Sequence, residues 1–222
     1  MITLSKPENE EKRIEALKRY NILDTPPDGS FDRITKLAAT IFEVPIAIIS
    51  LVDTERIWFK SAHGLTVNQV DRVPGLCASA ILSSDVYVIG DAGTDSRSLA
   101  NPLVAGEFGL RFYAAAPLQT EDQCNLGTLC IIDKIPRNLT EKEQKILKEL
   151  ADVVMDEMEL RLSLRNTVAN VKNLTLDIGY HLDDTMNQVE KIGGDEQKEK
   201  MLEYLDASKT FLRHVENQLN VM

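Results

Sequence analysis

The chain has 222 residues and carries 25 Lys and Arg against 35 Asp and Glu, a formal charge of −10. Apolar residues make up 43% and charged residues 27%, the composition of a folded globular protein and not of a disordered one. The acidic balance excludes a general binder of nucleic acid or anionic membrane, whose phosphates would be repelled, so neither is expected as a partner.

The apolar run Val44–Val52 falls far short of the ~20 residues that span a bilayer. The opening MITLSKPENEEKR puts its charges after a very short apolar start, the wrong order for a signal peptide, so a cytoplasmic location is expected. Cys77, Cys124 and Cys130 form no CxxC pair and have no neighbouring His. That argues for reduced thiols and against a disulfide framework or a zinc site. The common phosphate-loop, dinucleotide, zinc-helix and nucleophile-elbow signatures are missing.

In chain order, Pro7–Tyr20 reads as a helix, started by Ser5 and Pro7, with Ile14, Leu17 and Tyr20 on one face. Asp24–Gly29 breaks the chain, and Ser30 is expected to cap a second helix carrying Phe31, Ile34, Leu37, Ala38 and Ile41. The β-branched run Val44–Val52 predicts a strand covered on both faces, and a polar turn leads to a second strand, Ile57–Ser61. A short helix is expected at Cys77–Leu82 and strands at Val86–Ile89, Phe112–Leu118 and Leu126–Ile132. Asp91–Gly109 is the longest irregular stretch, and the polar turn Gln119–Asn125 is expected to expose Cys124.

From Thr140, with Glu143 completing a capping box, the period turns helical. It then tightens to a heptad at Val168, Val171, Thr175, Ile178, Leu182, Thr185, Val189 and Ile192. After a turn at Gly193–Asp195 a second helix repeats the rhythm at Met201, Leu205, Ser208, Leu212, Val215, Leu219 and Met222. Two helices with one apolar stripe each are best buried by pairing with a second copy in a four-helix bundle. The dimerisation residues are then Val168, Val171, Ile178, Leu182, Val189, Leu205, Leu212, Val215 and Leu219. The alternative is a hairpin folded back on its own domain.

The run NILDTPPDGSFDRITKLAATIFEVPIAIISLVDTERIWFKSAHGL, followed by CASAI, DAGTDSRSLANPLVAGEFGLRFYAAAPL and LGTLCIIDKIPRNLTEKE, resembles a bacterial GAF sensor domain of the kind found before histidine kinases and cyclases. The resemblance implies an α+β fold: a central antiparallel sheet of five or six strands with helices on one face. On the other face, the segments around Cys77 and Asp91–Gly109 would enclose a pocket. It also implies the division 1–20 N-terminal helix, 21–160 GAF domain, 161–222 helical hairpin. The hairpin is similar to a histidine-kinase dimerisation domain in which Leu176 stands at the phosphoacceptor position. Leucine has no nucleophilic nitrogen, so kinase chemistry is excluded there and no catalytic activity is expected.

The resemblance implies a small-molecule pocket built from Trp58, Cys77, Asp91, Arg97, Phe112 and Tyr113. Arg97 would receive an anionic or carbonyl group, while Trp58, Phe112 and Tyr113 supply walls. The ordinary alternative makes Trp58 a core aromatic, Asp91 a turn former and Arg97 the partner of Asp95 or Glu107. A bilin is not expected, because Ala78 and Ser79 follow Cys77 where a chromophore-packing His would stand.

The expected function is that of a non-catalytic sensory or regulatory protein of a two-component-type pathway. It would work as a homodimer with a histidine kinase or response regulator as partner. Alternatives are a GAF-fold thiol enzyme such as a free methionine sulfoxide reductase, with Cys77 and Cys130 as the thiols, and a phosphotransfer or interaction module using His181.

Overall fold

The structure, a computed structural model, describes residues 7–99, 101–191 and 196–221. Ser5, Ile192, the expected turn at Gly193–Asp195 and Met222 lie outside them. The chain divides into two compact units, Met1–Glu159 and Leu160–Met222.

The first unit is built on a six-stranded antiparallel sheet in the order β3-β2-β1-β6-β5-β4. Its strands are β1 (Ile46–Val52), β2 (Arg56–His63), β3 (Gln69–Asp71), β4 (Tyr87–Ile89), β5 (Phe112–Gln119) and β6 (Asn125–Asp133). With β2 on one side and β6 on the other, β1 is buried at every residue, as its unbroken apolar run predicts. The short strand β3 has no legible signal in Gln69-Val70-Asp71, because its pairing with Arg56–Trp58 and not its own pattern makes it a strand.

Helices α1 (Glu10–Arg19), α2 (Gly29–Ile41), α3 (Leu76–Ala80) and α4 (Pro102–Ala105) complete the layers. Asp28, not Ser30, is the N-cap of α2, its carboxylate accepting from the Ser30 N–H at 2.9 Å. Because strand side chains alternate, the sheet has two distinct apolar faces. Ala47, Ile49 and Leu51 stand on one of them, toward α2. Ile46, Ile48, Val52, Ile57, Tyr113, Cys130 and Ile132 form the other, under α3 and the 89–110 segment.

Close approach decides two glycines. A Cβ on Gly127 would stand 1.9 Å from the Ser50 carbonyl oxygen of the neighbouring strand, and one on Gly64, at φ +78°, would stand 2.1 Å from that of Pro45. Buried charge is concentrated at α1. Glu10 accepts from both Nε and Nη2 of Arg13 at 2.8 Å and from Arg72 at 2.6 Å. Arg13, 2% exposed, also donates to the Val52 carbonyl at 2.6 Å. At the opposite end Arg137 bonds Asp133 at 2.5 Å and the carbonyls of Phe42 and Glu43, fastening the end of α2 to β6.

Helix α5 (Glu141–Glu190) opens on the expected capping box, the Thr140 N–H donating to Glu143 at 2.8 Å and the Glu143 N–H to Thr140 at 3.3 Å. In the second unit its C-terminal part lies antiparallel to α6 (Glu196–Val221). An ion pair between Lys209 and Asp183 and a bond from Lys198 to the Glu190 carbonyl fix that direction.

The heptad seam read from the sequence splits here. Thr175 and Val189 are buried, and Val168, Val171, Leu182, Leu205, Leu212, Val215 and Leu219 are half-buried. Ile178, Thr185, Met201 and Ser208 are exposed. One neighbouring helix covers only part of a helix's circumference, so a stripe wide enough for two neighbours is half covered by one.

Candidate functional site

The face of the sheet under α3 holds an island of polar side chains in an apolar cluster. Helix α3 packs across β1, β5 and β6, which brings Cys77 over the central strands. The Tyr113 hydroxyl donates to the Cys77 sulfur at 3.2 Å. Cys130 stands on β6 opposite Ala115 and Ile48, in the same buried cluster. Ser50 and Thr128, paired in register on β1 and β6, bond each other at 2.9 Å beside it.

The electrostatics of this island are set by burial and by its hydrogen bonds. Cys130 is pushed well above the ordinary thiol range, first by its hydrogen bond to Cys77 and then by burial. The Cys77 thiol is held below the ordinary range by hydrogen bonding from its polar neighbours, against the opposing effect of burial. Tyr113 is pushed up by burial and by the neighbouring thiols.

The island continues toward the surface through aromatic contacts. Tyr87 meets Tyr113 edge-on at 6.2 Å between ring centroids, and the Arg97 guanidinium lies 4.9 Å above the Tyr87 ring. Arg97 is held by Asp95 at 2.6 Å and by the Val88 carbonyl at 2.9 Å. Asp91 closes the turn that begins this segment, accepting from the Gly93 N–H at 3.0 Å.

On the opposite face a β-bulge in β2 places Lys60 as an extra residue between Phe59, opposite Ser50, and Ser61, opposite Ile49. The bulge turns both Lys60 and Ser61 toward α2. The Lys60 ammonium donates to Thr25 Oγ1 at 2.8 Å and the Pro26 carbonyl at 2.9 Å, and sits over the rings of Phe31 and Trp58. Ser61 donates to Asp32 at 2.6 Å. Asp24, Thr25, Asp32, Trp58, Lys60 and Leu65 border a cleft of about 380 Å³ here.

The sheet order, the two covered faces and the α3 segment correspond to one family of sensor domains, and the GAF domain family matches residues 26–158. The chain belongs to the GAF domain family.

Over 156 residues the chain is 40% identical to a cyclic di-GMP phosphodiesterase of Pseudomonas aeruginosa, a match covering 70% of this chain and 27% of that protein. Among solved structures it is similar to the GAF domain of an Acinetobacter phosphoenolpyruvate-protein phosphotransferase (17% identity, 70% of this chain and 95% of that one, TM-score 0.52). It is equally similar to the free methionine-R-sulfoxide reductase of Neisseria meningitidis, solved with its substrate (17% identity, 74% and 99%, TM-score 0.52). At these identities the structures share the GAF fold alone.

The expectation that the chain lacks catalytic activity is corrected by the phosphodiesterase, since a relative 40% identical carries an enzyme's name. The signatures sought in the sequence belong to other enzyme classes, so their absence does not bear on this one.

Within the GAF domain the six expected pocket residues do not share one site. Cys77 and Tyr113 touch; Arg97 reaches Tyr113 only through Tyr87, and Asp91 holds its turn. Trp58 and Phe112 are buried on the other face of the sheet, where Trp58 borders the Lys60 cleft.

Cys124 is buried, not exposed. The Thr120 N–H bonds the Cys124 carbonyl and the Cys124 N–H bonds Thr120 Oγ1, both at 3.0 Å, which folds the turn over it. Lys60, the most chemically distinctive residue of the cleft, was missed. Its signal is a lysine directly after the apolar run Ile57-Trp58-Phe59 in a strand. Among the described residues no group of three or more His, Cys, Asp or Glu could hold a metal ion. No helix among them is long and apolar enough to cross a membrane.

Proposed function

We propose that this GAF sensory module signals through α5 to a C-terminal hairpin that pairs with the hairpin of a second copy as a four-helix bundle. The observation that carries the reading is a second apolar stripe on the hairpin. On α6 the half-buried residues Leu202, Leu205, Lys209 and Leu212 face α5. Met201, Tyr204, Ser208 and Phe211, each one position earlier, are exposed. On α5 the covered Thr175, Gly179 and Leu182 are likewise preceded by exposed Leu174, Ile178 and His181.

One residue is a rotation of about 100° on a helix, and in an antiparallel pair the same rotation turns both outer stripes to one side of the hairpin. Leu174, Tyr204 and Phe211, at 61%, 76% and 67% exposed, are more apolar surface than an isolated hairpin keeps in water. A second copy of the hairpin offers the same 3–4 spacing.

The hairpin's likeness to a kinase dimerisation domain supports a two-component-type pathway with a histidine kinase or response regulator as partner. The name of the 40% identical relative supports a second output, control of a cyclic di-GMP phosphodiesterase. A small-molecule ligand fits either output. A ligand that prefers one state of the GAF domain would shift the helix that leads to the bundle.

Light scattering after size exclusion tests the dimer. The expected mass is twice the 24.9 kDa of one chain, reduced to one chain by Ile178→Lys with Phe211→Lys. A wild-type monomer at micromolar concentration overturns the reading.

A further inference from the structure

We propose that the cleft at the Lys60 bulge binds a small zwitterion, an apolar α-amino acid or a molecule with the same pair of charges. This names a ligand class for the sensory module and does not depend on the dimer. In a regular strand Lys60 and Ser61 would point to opposite faces, and the bulge turns both toward α2. Each is only 5% exposed. Burying an ammonium costs folding free energy that an apolar residue beside Phe31 and Trp58 would not. The fold nevertheless fixes that charge at the cleft, by Thr25 Oγ1 at 2.8 Å, the Pro26 carbonyl at 2.9 Å and the two rings. Ser61 in turn holds the Asp32 carboxylate at 2.6 Å on the same cleft. One bulge therefore sets a fixed cation and a fixed anion on one cavity.

The charge of the ligand follows from that pair. A molecule with a carboxylate alone would meet Asp32, and one with an ammonium alone would meet Lys60. An uncharged one would displace water from both charges and replace none of its hydrogen bonds. A zwitterion sets its carboxylate toward Lys60 and its ammonium toward Asp32, so both contacts are attractive. Asp24, also on the rim, is held by Arg56 at 2.6 and 2.9 Å, so its charge is balanced within the protein. The apolar part of the ligand has Phe59, Ala62 and Leu65 to rest on. A volume of about 380 Å³ lies at the small end of ligand pockets, which run from ~300 to ~1,000 Å³, and suits a molecule the size of a free amino acid. None of the lining residues belongs to the polar island under α3.

The test is isothermal titration calorimetry of the full-length protein with L-leucine, L-methionine and L-phenylalanine at millimolar concentration. Each is paired with its two half-charged analogues; for leucine these are 4-methylpentanoate, which lacks the ammonium, and 3-methylbutylamine, which lacks the carboxylate. At least one of the three amino acids is expected to bind saturably at one site per chain. Both of its analogues bind roughly tenfold more weakly or worse, the effect of one lost charged hydrogen bond. Asp32→Asn and Lys60→Met each weaken the binding by roughly tenfold or more for the same reason. Asp32 is exposed in the first turn of α2, so Asp32→Asn keeps the fold and decides the matter if Lys60→Met does not fold. No saturable heat from any of the three amino acids overturns the proposal. So does an analogue that binds as tightly as its amino acid, or binding that Asp32→Asn leaves unchanged. A protein that binds the amino acid but runs as a monomer overturns the dimer alone.

Discussion

Replacing Glu10 by glutamine removes the carboxylate that two buried arginines share. Glu10 accepts from Arg13 at 2.8 Å and from Arg72 at 2.6 Å, which joins α1 to the chain just after β3. Burial alone would raise the Glu10 carboxyl, but the hydrogen bonds and charges of Arg13 and Arg72 overcome it and lower the pKa from 4.5 to about 2. A displacement of that size corresponds to at most about 3 kcal/mol, and water reaching the carboxylate trims it to about 2 kcal/mol. The arginines keep carbonyl partners at Val52, Asp53 and Thr54, so the loss stays below the ~3–5 kcal/mol of a buried charge left alone.

Because the folded-state pKa is depressed, this stabilisation is fully present above pH 4.5 and disappears as pH falls toward 2. Urea denaturation of wild type and Glu10→Gln across that range measures it. The expected difference is about 2 kcal/mol at pH 7, closing as the wild-type carboxylate protonates. A difference below about 0.5 kcal/mol at neutral pH, or one that does not change with acid, refutes the network as a source of stability.

Three further outcomes follow from particular contacts. Gly127→Ala drives a Cβ to 1.9 Å from the Ser50 carbonyl oxygen in the middle of the sheet, so thermal unfolding should show a loss of about 3 kcal/mol or more, or no soluble protein. Thr140→Ala removes the hydroxyl that accepts from the Glu143 N–H and donates to its carboxylate, and should lower stability by about 1 kcal/mol in urea titration. Ile178→Lys alone should weaken self-association without changing the melting of the GAF domain, since its side chain is exposed in the single chain; calorimetry and sedimentation read the two effects separately.

Much of the candidate site was legible residue by residue but not as an arrangement. Arg97 beside Asp95 could be read from a two-residue spacing, because such pairs close within one turn. That Phe112 and Tyr113 stand on opposite faces follows from strand alternation, but that Trp58 shares the face of Phe112 depends on the pairing register across β1, β6 and β5. A register shift leaves no mark in composition or periodicity. The meeting of Cys77 with Tyr113 is non-local in the same way, made by α3 crossing the central strands.

From the amino-acid order alone came the alternation of strand and helix, the all-buried run of β1, the capping box of α5 and the heptad spacing past Arg161, since each is a repeat or a contact within a few residues. The short strand β3, the burial of Cys124, the contact of Cys77 with Tyr113 and the division of the heptad into a covered and an uncovered stripe were decided by tertiary structure. Each depends on which surface comes to lie against which, and that is a property of the folded chain and not of any local segment.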